Sequence, residues 1–87
     1  MPKFRKKPIV IEAVQWIGTK TSWDAIMNMG VREKHWIPGE IGSDTFYLPT
    51  LGGPILVGKN DFVIKGAVGE FYPCKPDIFE KTYEPVE

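Results

Sequence analysis

Ile9-Val10-Ile11-Glu12-Ala13-Val14-Gln15-Trp16-Ile17 is a run of β-branched and aromatic residues broken only by single polar positions. Such a run predicts a strand. Alternation puts Ile9, Ile11, Ala13 and Ile17 on one face, and Val10, Val14 and Trp16 on the other with Glu12. Both faces are largely apolar, so this strand is expected at the centre of a sheet or covered on each side. The spacing then changes. Trp23, Ile26 and Met27 stand at i, i+3 and i+4, the apolar stripe of a short helix. Thr21 and Asp24 form its expected capping box, Gly30 its left-handed terminator, and Val31 the contact that accompanies such an ending. A helix this short does not hold alone, so its stripe must pack on the sheet.

From Arg32 to Ser43 the pattern breaks up: Pro38-Gly39 and Gly42-Ser43 are turn signals around Trp36-Ile37. Period two returns afterwards. Thr45–Leu48 and Pro54–Val57 predict two strands joined by a loose loop through Thr50-Leu51-Gly52-Gly53. Gly58-Lys59-Asn60-Asp61 is a turn in which Asn60 accepts a positive φ. Phe62–Lys65 is a strand, Gly66–Gly69 a turn, and Glu70–Tyr72 another strand. Lys75–Glu80 fits one helical turn with Pro76 near its start, and Thr82-Tyr83-Glu84 a last short strand. The expected class is α+β: a small, curved, mostly antiparallel sheet of about five strands, one short helix packed on it, and a helical turn near the C-terminus.

The 87 residues make a single domain, 1–87, that buries about two thirds of its extended surface. Hydrophobic residues at 43% and charged residues at 25% mark an ordinary globular chain. One cysteine rules out an internal disulfide, and one histidine rules out a zinc site of standard spacing, so no metal and no cofactor is expected. Ile9–Ile17 is too short and too polar for a membrane span, and no cleavage site follows it. A reducing cytoplasm is the consistent compartment. Eleven basic and eleven acidic residues cancel, so no overall field draws nucleic acid or anionic lipid. The charges are nevertheless uneven. Lys3, Arg5, Lys6 and Lys7 crowd the start, while Asp77, Glu80, Glu84 and Glu87 crowd the end. The plain reading pairs the two ends as edge strands facing across one sheet; the sharper one is a basic arm for phosphate.

Candidate chemistry is sparse. Cys74 and His35 are the one thiol and the one imidazole, with Lys75 beside the thiol as a local cation. Nothing in the spacing brings Cys74 and His35 together, and a buried structural thiol is the plainer reading. Asp61, Glu70 and Asp77 lie near element ends, where two carboxylates could converge for acid–base work but are more often turn and cap residues. Gly66–Gly69 lacks the Lys-Ser/Thr and long helix of a phosphate loop. The aromatic residues say more. In Phe46-Tyr47 and Phe71-Tyr72, neighbours point to opposite faces, so one of each pair should lie outside the main core. Outlying aromatics beside Lys65 or Lys75 suit stacked bases or a protein interface, or else they pack beneath the Arg32–Ser43 loop. The expected binding residues are therefore Lys65, Glu70, Tyr72, Cys74 and Lys75.

Three segments carry a resemblance. They are PKFRKKPIVIEAVQW at residues 2–16, VGKNDFVIKG at 57–66 and GEFYPCKPDIFEKTYE at 69–84. Together they resemble a family of small proteins of tailed bacteriophages and prophages that carries a Pro-Gly-Asp-Tyr-Gly-like central motif. Lys59 stands where that family tends to have Pro, Asn60 where it has Gly, and Phe62 where it has Tyr. Asn60 preserves the left-handed turn. Phe62 has no hydroxyl, which argues against a required proton donor there. The resemblance implies a phage or prophage origin and the cytoplasm of a bacterial host; it brings no activity and no functional residue. The expected function is a non-catalytic binding module, a phage accessory protein docking on a host or phage protein and able to form a small homo-oligomer. Two alternatives stand beside it: a nucleotide or single-stranded nucleic-acid binder, and a small hydrolase using Cys74 or the acids.

Overall fold

The computed structural model describes residues 2–4, 9–32 and 44–86. The elements run β1 (Glu12–Gln15), α1 (Lys20–Asn28), β2 (Phe46–Thr50), β3 (Gly53–Val57), β4 (Phe62–Lys65), β5 (Phe71–Cys74) and α2 (Pro76–Thr82). The class is α+β with antiparallel strands throughout. The strands form two sheets rather than the one expected: β1-β4-β5, and the hairpin β2-β3. The signals at His35, Trp36, Pro38-Gly39 and Gly42-Ser43 lie outside the described residues.

The first strand is shorter and more peripheral than its composition predicts. β1 is an edge strand, and β4 takes the centre. Its ladder runs only from Glu12↔Lys65 to Gln15↔Phe62. The turn before β4 fixes where the ladder stops. Asn60 has φ 77°, the Asp61 amide donates to Gly58 O at 3.1 Å, and Asp61 Oδ2 accepts from the Gly58 amide at 2.9 Å. This turn meets Trp16 through Trp16 N to Asp61 O at 2.8 Å and Asn60 N to Trp16 O at 2.6 Å.

The cap of α1 lies two residues upstream of the Thr21–Asp24 box. Thr19, in extended conformation, accepts from the Ser22 amide at 3.2 Å, and Ser22 Oγ accepts from the Thr19 amide at 3.3 Å. Gly18, at φ 77°, turns the chain early enough for Thr19 to take that role. Asp24 instead pairs with Lys20 at 2.7 Å. The helix ends at Gly30 as expected: φ is 112°, its amide donates to Met27 O, and Val31 is buried beyond it.

The core is Trp16, Ile26, Val31, Phe46, Leu48, Val57 and Val63, with Val14, Trp23, Met27, Met29 and Phe71 packed against it. Its centre is a triangle of edge-to-face rings. Trp16 and Trp23 are 6.0 Å apart, and each lies 5.1 Å from Phe46. Trp16 Nε1 donates to Asp44 O at 2.8 Å, so the buried indole N–H is satisfied. The hairpin turn is tighter than expected, since Thr50 pairs directly with Gly53 across Leu51-Gly52.

The C-terminal strand expected at Thr82–Glu84 does not form. α2 continues to Thr82, and residues 83–86 carry no regular structure. Phe79 of α2 stacks on Phe62 at 3.8 Å, and Tyr83, the extended residue that caps the helix, places its ring 5.0 Å from Phe79. The Phe62–Phe79 stack holds α2 against the sheet. The acidic end is therefore helix and tail, and the predicted ladder between the chain ends is absent from the described residues.

Candidate functional site

Pairing divides the three-stranded sheet into two unlike faces. Val14, Val63 and Phe71 point to the core. Ala13, Phe62 and Tyr72 point the other way, toward α2 and the tail. On that second side lies an open-sided groove of about 1000 Å³. Its floor is Ala13, Phe62 and Tyr72, and its walls include Ile9 to Ile11, Phe79 and Thr82 to Val86. The two chain ends thus do approach each other, across a groove rather than through a ladder.

Two of the five expected binding residues line it: Glu70 and Tyr72. The Glu70 carboxylate lies over Gly66, in the turn closed by Gly66 N to Glu70 O at 2.7 Å. A Cβ at residue 66 would collide with that carboxylate. Glu70 Oε1 is buried and has no hydrogen-bond partner. Tyr72 and Tyr83 bring their hydroxyls to 3.4 Å. The Tyr72 hydroxyl is pushed up to about 12 by its hydrogen bond to Tyr83, then by burial, so it remains neutral far above its ordinary range.

The other three residues go elsewhere. Lys65 shares the core-side face with Val63 and reaches Glu12 at 4.0 Å. Lys75 precedes α2 as its N-cap residue and pairs with buried Asp61 at 3.0 Å. Asp61 is thus a structural carboxylate, holding the Gly58 amide and the Lys75 ammonium. Burial, then Asp61 and Asp77, push the Cys74 thiol up, and its Sγ lies 3.6 Å from Lys75 O. These surroundings disfavour thiolate. The expected grouping of Lys65, Tyr72 and Lys75 is therefore not formed: strand alternation separates the first two, and an ion pair holds the third. His35 lies outside the described residues.

Phe62, Phe79 and Tyr83 are the groove residues that sequence reasoning passed over. The i, i+4 spacing of Phe79 and Tyr83 was the available signal, hidden by reading Thr82–Glu84 as strand.

A second surface is more uniform. Alternation sends Tyr47, Pro49, Pro54 and Leu56 to the outer face of the hairpin, with Tyr47 opposite Leu56 and Pro49 opposite Pro54. All four are exposed, Tyr47 at 58% and Leu56 at 50%, and Leu51 at the tip is exposed at 93%. Among the described residues no charged side chain of the hairpin stands on this face.

Among the described residues no three His, Cys, Asp or Glu side chains are placed to hold a metal ion, and no helix is long and apolar enough to cross a membrane. No family model, no curated protein and no solved structure matches the chain.

Proposed function

We propose that this chain is a non-catalytic binding module that docks on a partner protein through the outer face of the β2–β3 hairpin. One observation carries the reading: a two-stranded sheet whose outward side chains are Tyr47, Pro49, Pro54 and Leu56, all exposed. Contiguous apolar surface of this kind marks interaction sites, and Tyr is enriched in them. The paired prolines favour docking on the face over strand addition at the edges. Counted from the two-residue turn, Pro49↔Pro54 is a non-hydrogen-bonded pair, so the positions without N–H point outward along both edges. The sequence resemblance supports a phage or prophage accessory protein in the cytoplasm of a bacterial host, with a host or phage protein as partner.

The two alternatives draw less support. Lys65 and Lys75 are engaged by Glu12 and Asp61 and do not flank an aromatic platform, which weakens the nucleic-acid reading. A thiol pushed upward weakens the hydrolase reading.

The test compares wild-type protein with Leu56→Lys and Tyr47→Lys. Both side chains are exposed, so stability should change by less than about 0.5 kcal/mol. Cross-linking in host lysate followed by mass spectrometry should recover one protein with wild type and lose it with each variant. Recovery of the same proteins by all three forms would overturn the assignment. A wild-type homodimer that Leu56→Lys converts to monomer would give the face to a second copy of the chain.

A further inference from the structure

Among the described strands, β4 is paired on both sides, and each of the others has one outer edge. Three of those edges carry a proline. Pro49 and Pro54 stand at outward positions of β2 and β3. The bond from Trp16 N to Asp61 O sets the phase of the β1–β4 ladder, so Val14 bonds to Val63 and Glu12 to Lys65. Phe62 and Ile64 then bond to β5, and Pro73, opposite Val63, turns its nitrogen to the outer edge. β1 is the exception. The backbone N–H and C=O groups of Ala13 and Gln15 face outward from it, and among the described residues nothing bonds them. Ile9–Ile17 also has the composition of a strand with neighbours on each side. At the edge it leaves Ile9 51% and Ile17 44% exposed. A β-branched edge without a proline is a template for a further strand.

We propose that two copies of the chain pair β1 to β1, antiparallel about a two-fold axis at Ala13, and join their three-stranded sheets into one. Ala13 is both an outward residue and the midpoint of Ile9–Ile17, so this register engages the whole run. Ala13 bonds to Ala13 of the second copy, and Ile11 exchanges bonds with its Gln15. Ile9 faces Ile17 of the second copy through side chains alone, because the Ile17 amide already donates to Ser22 Oγ at 3.4 Å. The charges suit a self-pairing. Glu12, the one charged residue of the run, falls opposite Val14 and has Lys65 at 4.0 Å, so no like charges stand directly opposite each other. The whole chain carries a net charge of zero, so the two copies do not repel. The hairpin packs against β5 at the far edge of the sheet, which leaves the docking face independent of this pairing.

Sedimentation of the full chain should show a dimer that dissociates on dilution. Ala13→Pro gives β1 the proline that the other edges carry. The N–H it removes takes no part in the β1–β4 ladder, so the variant should stay folded by circular dichroism and sediment as a monomer. Ile9→Lys and Ile17→Lys, at exposed positions, should each weaken the dimer at least tenfold. Combining Ile9→Lys with Ile17→Glu places opposite charges across the pair and should recover most of that loss, because the two positions face each other directly only in this register. If Ala13→Pro does not fold, hydrogen exchange of the wild-type chain decides. Its Ala13 amide should exchange at least tenfold more slowly at dimeric than at monomeric concentration. Leu56→Lys should leave the dimer intact. A wild-type chain monomeric throughout the dilution series, a dimer unmoved by Ala13→Pro, no recovery in the double variant, or a dimer dissociated by Leu56→Lys would each overturn the proposal.

Discussion

Removing the Asp61 carboxylate takes the acceptor from the Gly58 amide and the counter-charge from Lys75. The two partners of this ion pair are unequal. The Asp61 side chain is 6% exposed and the Lys75 side chain 65%. Asp61→Ala should therefore cost about 1–3 kcal/mol, because it leaves a turn amide without its bond. Lys75→Met should cost less than about 1 kcal/mol, the range of exposed ion pairs. Urea denaturation of both variants checks the order, and a larger loss for Lys75→Met would contradict it. Tyr72 makes a prediction about pH. Its hydroxyl ionises at about 12 in the fold against 10.0 ordinarily. A group whose pKa is raised on folding contributes its full stability below the unfolded value, so this contribution is intact up to about pH 10 and is lost on approach to about 12. Tyr83→Phe removes the largest cause, and the Tyr72 phenolate should then appear closer to pH 10 in an ultraviolet titration. Single positions of special geometry were readable in advance. Asn60 and Gly30 were recognised because few residues accept positive φ, and both adopt it. Glu70 and Tyr72 both line the groove. Lys65 was not separable from them, because which face a side chain takes depends on a register that no local pattern states.

Among the elements, α1 shows how a boundary escapes a correct assignment. Its stripe and its end at Gly30 were legible from the spacing of Trp23, Ile26 and Met27. Its start was not, since Thr19 and Thr21 are both acceptable caps and the choice lies with the Gly18 turn. Thr19→Ala should destabilise the protein by about 1 kcal/mol, whereas Thr21→Ala should be near neutral. Thermal unfolding of the pair reads this directly; equal effects would contradict the cap. The last strand was misread for a different reason. Thr82-Tyr83-Glu84 suits a strand locally, and Tyr83 is extended, yet α2 runs on to Thr82 with Phe79 stacked on Phe62. Phe62 stands seventeen positions before Phe79, and no window of a few residues contains that contact. The early strand was overextended similarly. Ile9 to Ile11 are β-branched, but they line a groove instead of joining a ladder.

At the scale of the whole molecule, the α+β class followed from alternation and one helical stripe, but the division into two sheets did not. Trp16 accounts for that division. Lying just beyond β1, it places its ring against Trp23 of α1 and Phe46 of β2, so helix and hairpin gather on one side of β1-β4-β5. Of the described elements, α2 and the tail take the other side, and the groove lies there. A chain of this size thereby presents two separate surfaces from one three-stranded sheet.

The prolines of the hairpin have a consequence for how such a protein survives at high concentration. Phe46 to Val57 is rich in the apolar residues from which cross-β fibrils grow, and it displays them to solvent. Fibril growth recruits each incoming strand by its backbone, and Pro49 and Pro54 deny that recruitment on both edges. The face can stay adhesive toward a shaped partner while the same segment is a poor template for its own copies.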